Sequence, residues 1–486
     1  MGKFGIHWFR RDLRVAGNPA LSHQWKVNDG KVVGLFCFDK SFLKREDFSV
    51  NRFQFFIATL IELKKELRKV GSDLLVMDEG PFDAFPRLLE ALKEPPSLVS
   101  WNRDYEPFAV QRDKKAQSLF AERGIATFTD RDHLLIEPHE IFRDGNPELG
   151  YQVYSPFARK WREVFVQNSV QNRIEQQARG LVYLSKLKKE QVEPMFRLKW
   201  KGLVGNDFSS NVLETYQKEN QKRVTIAIPK AGSLVALAAV KVFANKIGDY
   251  SEARDIPSVP GTSQLSIYLK NGSLTVGQVI AELELEAYGK KAKTSADKYF
   301  SELMWREFYY HILARHPRVE HSAFLEKYEN LKWENDSKKF RAWTEGKTGY
   351  PIVDAGMRQL NETGWMHNRV RMIVASFLTK DLLIDWRWGE AYFMDKLLDG
   401  DLAPNNGGWQ WAASTGCDAQ PYFRIFNPYL QSKRFDPEGA YIRKYVPELQ
   451  KLSAKQIHEP SGVSGYPEPI VDHSEQREKA LKMYDV

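Results

Sequence analysis

The chain has 486 residues, is 42% hydrophobic and 13% aromatic with 13 tryptophans, and carries a formal net charge of +8. That length supplies two or three domains with ample core, and the positive balance is compatible with an anionic partner such as nucleic acid without requiring one. Two cysteines, Cys37 and Cys417, exclude a disulfide framework and zinc-ligand spacing, and no apolar run approaches the roughly 20 residues of a membrane-spanning helix.

The first residues, through Arg10 and Arg11, lack the apolar stretch of a signal peptide. The expected location is therefore cytoplasmic, in a prokaryotic cytoplasm or nucleoid, with no membrane partner. Residues 1–130 alternate short apolar runs with amphipathic stretches. Strands are predicted at 3–9, 32–38, 73–77, 97–101 and 126–129, and helices at 52–70, stopped by Gly71, and at 110–123, stopped by Gly124. This alternation predicts a doubly wound parallel sheet, which customarily takes ligands at its carboxyl edge. No G-x-G-x-x-G follows the first strand, which argues against a dinucleotide there.

Residues 131–210 read as a polar, weakly periodic connector, with Lys186, Lys188 and Lys189 on a solvated face. From 211 to 486 the pattern is helical, with helices predicted at 233–247, 275–288, 296–315, 350–363, 366–383 and 390–398. The predicted architecture is thus α/β plus all-α. An N-terminal parallel-sheet domain is joined by a long connector to a C-terminal helical domain.

Within that helical part, residues 364–411 hold five tryptophans, several amides and a carboxylate pair. Indole N–H groups and amides each need a partner when buried, so this stretch reads as the wall of a pocket for a large, flat, polar-edged ligand. Thr262 and Ser263 read most simply as a helix cap, and alternatively as hydroxyls that hold a phosphate. Glu302 and Arg306, and Trp305 and Tyr309, are i,i+4 neighbours. They form either a surface ion pair beside a core aromatic pair, or one face able to stack a base and hold a phosphate. Asn368 and Met372 are spaced likewise. Asp399 and Asp401 flank Gly400 in a loop. Without further ligands they make a poor metal site, so no metal is predicted, and an ion pair with Arg371 is the better use. Trp333 lies among Lys332, Glu334, Asn335 and Asp336 and is expected at the surface. Indole can lose one electron, so a series drawn from Trp411, Trp409, Trp386 and Trp333, running from a buried cofactor to the surface, could conduct.

Several motifs together carry a resemblance. Trp8-Phe9-Arg10-Arg11-Asp12-Leu13-Arg14, the run from Thr262 to Ser266, Trp305-Arg306-Glu307-Phe308-Tyr309, Thr348-Gly349-Tyr350-Pro351-Ile352-Val353-Asp354-Ala355, Gly364 to Met372 and Asp399 to Trp411 occur in order. Along most of its length the chain resembles the photolyase/cryptochrome flavoproteins. Within them it looks like the class I photolyases of cyclobutane pyrimidine dimers (CPD). Asn368 and Met372 stand where photolyases of the (6-4) photoproduct place histidines. Asn405 stands at the position facing flavin N5, where plant cryptochromes carry Asp and insect ones Cys.

The resemblance implies light-driven repair of UV-damaged DNA by electron transfer from reduced FAD to a flipped-out dimer, in a monomer. The alternative is a blue-light photoreceptor of the cryptochrome type that signals through a protein partner. FAD contacts are implied for Tyr250, Thr262, Ser263, Gln264, Leu265, Ser266, Arg371, Asp399, Gly400, Asp401 and Asn405. Tyr299 stands where relatives can carry Trp. Catalytic roles at the lesion are implied for Glu302, Trp305, Asn368, Met372 and Trp411, with Glu302 expected to keep a proton that it donates. Arg254, Trp305, Arg306, Arg369, Arg424 and Gln431 are implied to hold DNA, and Trp409, Trp386 and Trp333 to form the electron chain. A second, antenna chromophore is left open. Tyr105-Glu106-Pro107-Phe108-Ala109 departs from the Val-Asn-Glu type of sequence that binds folate in some relatives, which speaks against folate.

Overall fold

The computed structural model describes residues 3–187, 194–205, 208, 211–285, 294–418 and 424–485, with side chains through 180 in the first stretch. The lysine face expected at 186–189 falls outside the residues so described. Five strands form one sheet: β1 (Gly5–Trp8), β2 (Val32–Cys37), β3 (Leu74–Met77), β4 (Leu98–Asn102) and β5 (Ala126–Asp130). All pairs are parallel and the order is β3-β2-β1-β4-β5, as the alternating pattern predicts. The period of two divides the side chains of β2 cleanly. Val32 and Phe36 join one core cluster with Phe9 and Leu63, while Val33, Leu35 and Cys37 join another with Trp8, Phe85 and Trp101. Both faces are therefore covered, as parallel sheets require.

The helices that cover the sheet are α1 (Pro19–Val27), α2 (Val50–Lys69), α3 (Pro81–Ala91) and α4 (Pro107–Ala121). Asn18 and Ser49 cap α1 and α2 by accepting backbone N–H groups of Leu21 and Arg52. Strand order reverses between β1 and β4. The loops that follow these strands, with Arg10 and Arg11 on one and Asp104 and Glu106 on the other, diverge there and open a cleft.

The expected connector is partly helical. It carries α5 (Tyr154–Phe165) and α6 (Asn168–Leu187). In α5, Phe157, Trp161, Val164 and Phe165 fall at i, i+4, i+7 and i+8 and are buried. They pack into the core of the helical part beside Phe300, Met304 and Phe308. A single amphipathic face of three turns was diluted by the charged residues between its apolar positions.

The remaining helices are α7 (Val212–Gln221), α8 (Ser233–Ala244), α9 (Tyr250–Ala253), α10 (Ser266–Asn271), α11 (Val276–Glu282), α12 (Ser295–Arg315), α13 (Ser337–Glu345), α14 (Pro351–Thr363), α15 (Asn368–Ser376), α16 (Trp386–Lys396), α17 (Leu402–Ala413), α18 (Pro428–Phe435), α19 (Ala440–Tyr445) and α20 (His473–Tyr484). The end of the predicted helix 275–288 lies outside the described residues. The predicted helix 366–383 is α15, capped by His367, and it continues into a π turn at Phe377–Asp381. The wider turn buries Lys380 and Asp381. Among the described residues no helix is long and apolar enough to cross a membrane.

Candidate functional site

A cleft of about 570 Å³ lies within the helical part. Its walls come from α9, the loop before α10, α12, α15, the loop at 399–401 and α17. On one side, Arg371 of α15 reaches Asp399 with Nη2 at 3.0 Å from Oδ2, and its Nε donates to the Met366 carbonyl at 2.8 Å. Ser266 Oγ donates to the same Asp399 oxygen at 2.7 Å. The ion pair expected between Arg371 and the carboxylate pair therefore forms at Asp399. Tyr299 Oη lies 3.1 Å from Ser263 Oγ, and Tyr250, Thr262, Gln264 and Leu265 complete this wall.

No helix is predicted over 402–413, a stretch in which Pro404, Asn405, Gly407 and Gly408 are poor helix formers, yet it forms α17. Tertiary packing overrides them. A Cβ at Gly407 would lie 2.0 Å from the Tyr309 ring, so only glycine lets α17 approach α12. A Cβ at Gly408 would meet nothing within 4 Å, because that face opens on the cleft. Asn405 lines the cleft, and its Nδ2 donates to the Glu390 carbonyl at 3.1 Å. Beside it, burial pushes the Glu390 carboxyl up to about 8, against the opposing hydrogen bond from Asn406.

The other wall holds the residues implied at a lesion. Glu302, Trp305, Asn368, Met372 and Trp411 all line the same cleft. Trp305 stacks on Tyr154 of α5 with centroids 3.6 Å apart and planes 7° from parallel. Tyr154 was missed from sequence because it sits in the supposed connector. Glu302 does not stand free, since Arg254 Nη1 lies 2.6 Å from its Oε1.

Three of the arginines expected on DNA already have partners within the chain. Arg254 is held by Glu302, Arg369 pairs with Asp255 at 2.9 Å, and Arg306 donates to the His133 carbonyl at 2.9 Å. Arg306 thus turns toward the sheet domain, a pairing that spacing along one helix cannot reveal. Arg424 is exposed and Gln431 half-buried, and both stand outside the cleft lining.

Asp401 lies in the cleft wall, but its carboxylate faces a buried ionic cluster. It accepts from Arg11 Nη2 at 2.9 Å, Lys270 Nζ at 3.1 Å and Tyr310 Oη at 2.5 Å. Burial alone would raise its pKa, yet the charges of Lys270 and Arg11 hold it well below the usual carboxylate range. Arg11 also reaches Glu106 at 2.7 Å, so this cluster ties the loops after β1 and β4 to the 399–401 loop. His133 sits against both Arg11 and Arg306. Burial and then these guanidiniums push its pKa well below the ordinary value, so it is neutral. The cluster backs onto the cleft at the sheet edge, of about 340 Å³, which is lined by Phe36, Phe42, Phe53, Pro107 and Phe108 and shares Gly400 with the larger one.

Trp409 is 2% exposed and lines the larger cleft. A Cβ at Gly389 would lie 2.1 Å from its ring, so the indole rests on the backbone of α16. Its N–H has no acceptor among the described residues. Trp386 is buried in the same apolar cluster and Trp333 packs half-buried against it. No group of ligating side chains able to hold a metal occurs among the described residues.

The residues present fit a flavin dinucleotide. One cavity offers the hydroxyls of Thr262, Ser263 and Ser266, the Arg371–Asp399 pair, the Asn405 amide and the unpartnered indole N–H of Trp409. The family described as DNA photolyase matches residues 5–175, and the family described as FAD binding domain of DNA photolyase matches residues 299–486. The deoxyribodipyrimidine photo-lyase of Vibrio cholerae is 40% identical over 98% of both chains. Among solved structures, a bacterial class III photolyase from Agrobacterium tumefaciens superposes with a TM-score of 0.83 at 33% identity, covering 100% of this chain and 98% of the other. An archaeal photolyase from Sulfolobus tokodaii with two FAD molecules gives 0.78 at 31% identity, covering 99% of each. With its sheet domain, its flavin cleft and its full-length relatives in agreement, the chain belongs to the DNA photolyase family.

Proposed function

We propose that this protein is a deoxyribodipyrimidine photo-lyase that repairs cyclobutane pyrimidine dimers in DNA under blue or near-ultraviolet light. One observation supports this most directly: the residues suited to a flavin and those suited to two linked, adjacent pyrimidines line a single cleft. Bound reduced FAD supplies the photoexcited electron that splits the cyclobutane ring, and the chain supplies the rest. A base that undergoes chemistry must leave the stack, and a damaged, poorly stacked dimer leaves at lower cost. Trp305, braced by Tyr154, and Trp411 flank the extruded dimer, while Asn368 and Met372 line its other side. Once its pair with Arg254 opens, Glu302 takes up a proton from solvent and donates it in a hydrogen bond to the lesion, and Arg254 is then free for a phosphate. Arg369, Arg424 and Gln431 add to the DNA-holding surface, so affinity falls with salt, whereas Arg306 is committed to His133.

Trp409, Trp386 and Trp333 carry an electron inward to restore the reduced flavin. The sheet-edge cleft is the place for a second, light-collecting chromophore. Its rim at 106–109 is the stretch that departs from the folate-binding type. The protein acts as a monomer in the cytoplasm or nucleoid.

The test is illumination of the reduced protein with an oligothymidine containing dimers, and separately with one containing the (6-4) lesion. The expected result is light-dependent recovery of thymine absorbance for the first alone. Recovery in the dark, or none in light, would overturn the proposal. Glu302→Ala should lower the repair yield per photon while flavin absorbance is unchanged.

A further inference from the structure

The π turn after α15 buries two ionisable side chains where an apolar pair would cost less. Lys380 and Asp381 are both 0% exposed. The Leu382 amide donates to the Phe377 carbonyl at 3.0 Å, so the turn takes up one residue more than an α-helical turn would. Asp381 reaches His473 at the start of α20, with Oδ1 2.5 Å from Nδ1. Lys380 reaches the end of α17. Its Nζ donates to the Ala413 carbonyl at 3.0 Å and to Ser414 Oγ at 3.0 Å, and it lies 3.8 Å from the centre of the Tyr484 ring of α20. The Tyr484 hydroxyl donates to the same Ala413 carbonyl at 2.5 Å. Burial pushes the Lys380 pKa well below the ordinary value, yet an amine donates to these oxygens as an ammonium does.

The last carbonyls of a helix have no partner within it and need donors from elsewhere. Water or a glycine turn commonly supplies them. Helix α17 instead takes a buried lysine from the segment that continues α15. Asn368, Arg371 and Met372 belong to α15, and Asn405, Trp409 and Trp411 to α17, all in the wall of the larger cleft. One side chain therefore ties the two wall helices together at their ends. The tie runs on to Trp411, since the Ser414 amide donates to the Trp411 carbonyl at 3.1 Å. The flavin side of α17 lies further back along the helix and is anchored separately, Asn405 by the Glu390 carbonyl and Trp409 against Gly389.

We propose that Lys380 is a positioning residue for the lesion side of the cleft: it fixes the end of α17 relative to α15 and so sets how far Trp411 stands from Asn368 and Met372. The proposal rests on the reading of these three residues as the lesion wall. A wall held at its working spacing before the substrate arrives loses less freedom on binding. Two linked pyrimidines must enter between the walls and feel that spacing. Undamaged DNA, held from outside by phosphate contacts, does not. Lys380 thus acts on the discrimination between damaged and intact DNA, through Trp411 and without touching flavin or substrate.

The experiment uses the full-length, flavin-loaded protein in the dark, with oligothymidines that do and do not contain a dimer. Lys380→Met keeps the apolar stem and removes the donors. Its flavin absorbance and its affinity for undamaged DNA should equal the parent's, while affinity for the dimer falls about 10-fold. The path through Trp411 is read from a double-mutant cycle. Trp411→Ala should weaken dimer binding by itself, and Lys380→Met added to it should weaken binding no further. Additive losses, equal losses for both DNAs, or loss of flavin along with dimer affinity would overturn the proposal. Ser414→Gly suits the positive φ of 61° at that residue and removes only the hydroxyl acceptor. It should shift dimer affinity in the same direction by less, and it keeps the test valid where Lys380→Met fails to fold. A parent that does not prefer dimer-containing DNA overturns the lesion reading and this proposal with it. A parent that does, matched by Lys380→Met and Ser414→Gly, overturns this proposal alone.

Discussion

The two clefts are built by opposite means. The sheet-edge cleft sits on loops that leave parallel strands at the switch in strand order. Its lining includes eight phenylalanines, and Arg10, Arg11, Arg45 and Arg112 in it are tied to carboxylates. The larger cleft is built from helix faces, and its lining is hydroxyls, amides, an ion pair and indoles. The first can hold a flat apolar guest in place, whereas the second can hold a dinucleotide and still leave polar groups for a second substrate. The wall at Gly400 belongs to both, so the contrast is between two environments on either side of one loop. The buried cluster around Asp401 is what keeps that loop in place.

Arg11→Ala attacks the shared wall and should have the largest effect. It strips a partner from the buried Asp401 and from Glu106, and breaking a buried pair costs about 3–5 kcal/mol. A lower thermal midpoint together with weaker flavin retention is the expected outcome. A midpoint equal to the parent's would mean that Lys270 and Tyr310 suffice.

Arg371→Ala separates the clefts instead. It removes the charge-assisted bonds to Asp399, worth about 1.5–3 kcal/mol, that hold this wall of the larger cleft. Flavin should be lost on dialysis while any guest in the sheet-edge cleft is kept. Equal loss from both clefts would show that they are not independent.

The smallest effect is a pH trend. Burial raises the Glu390 carboxyl from 4.5 to about 8, so the folded state favours its protonated form. The stability this contributes is complete below about 4.5 and fades as pH rises through about 8. Glu390→Gln, neutral throughout, should therefore gain in thermal midpoint relative to the parent as pH rises across that window. A constant difference would place the titration elsewhere.

The same contrast explains what the sequence shows and what it hides. Strands β1 to β4 are legible because every residue in them is buried and each reads as a short, mostly apolar run, whereas β5 is half-exposed. The predicted ranges 32–38 and 126–129 differ from β2 and β5 by one residue. Helix ends are legible where glycine stops them. Helix α17 is not legible, because its glycines serve close approach to Tyr309 and an opening on the cleft rather than a turn. The cleft residues were recognisable as motifs, yet what their side chains touch was not. Arg306 and His133 are 173 residues apart, and nothing in the local pattern of α12 tells that the guanidinium turns to that partner. Tyr154 escaped for the same reason, since it matters through a ring packed against it from a distant segment.

Gly408 sets a constraint on how this protein can drift. In an exposed helix interior, alanine for glycine is worth about 1 kcal/mol, and at this position a methyl group would collide with nothing in the chain. Selection for folding alone would accept Gly408→Ala readily. The methyl would instead occupy space at the mouth of the cleft, so the change would register as a loss of function with a gain in stability. Laboratory evolution toward heat resistance, run without light or lesion, should fix that substitution early.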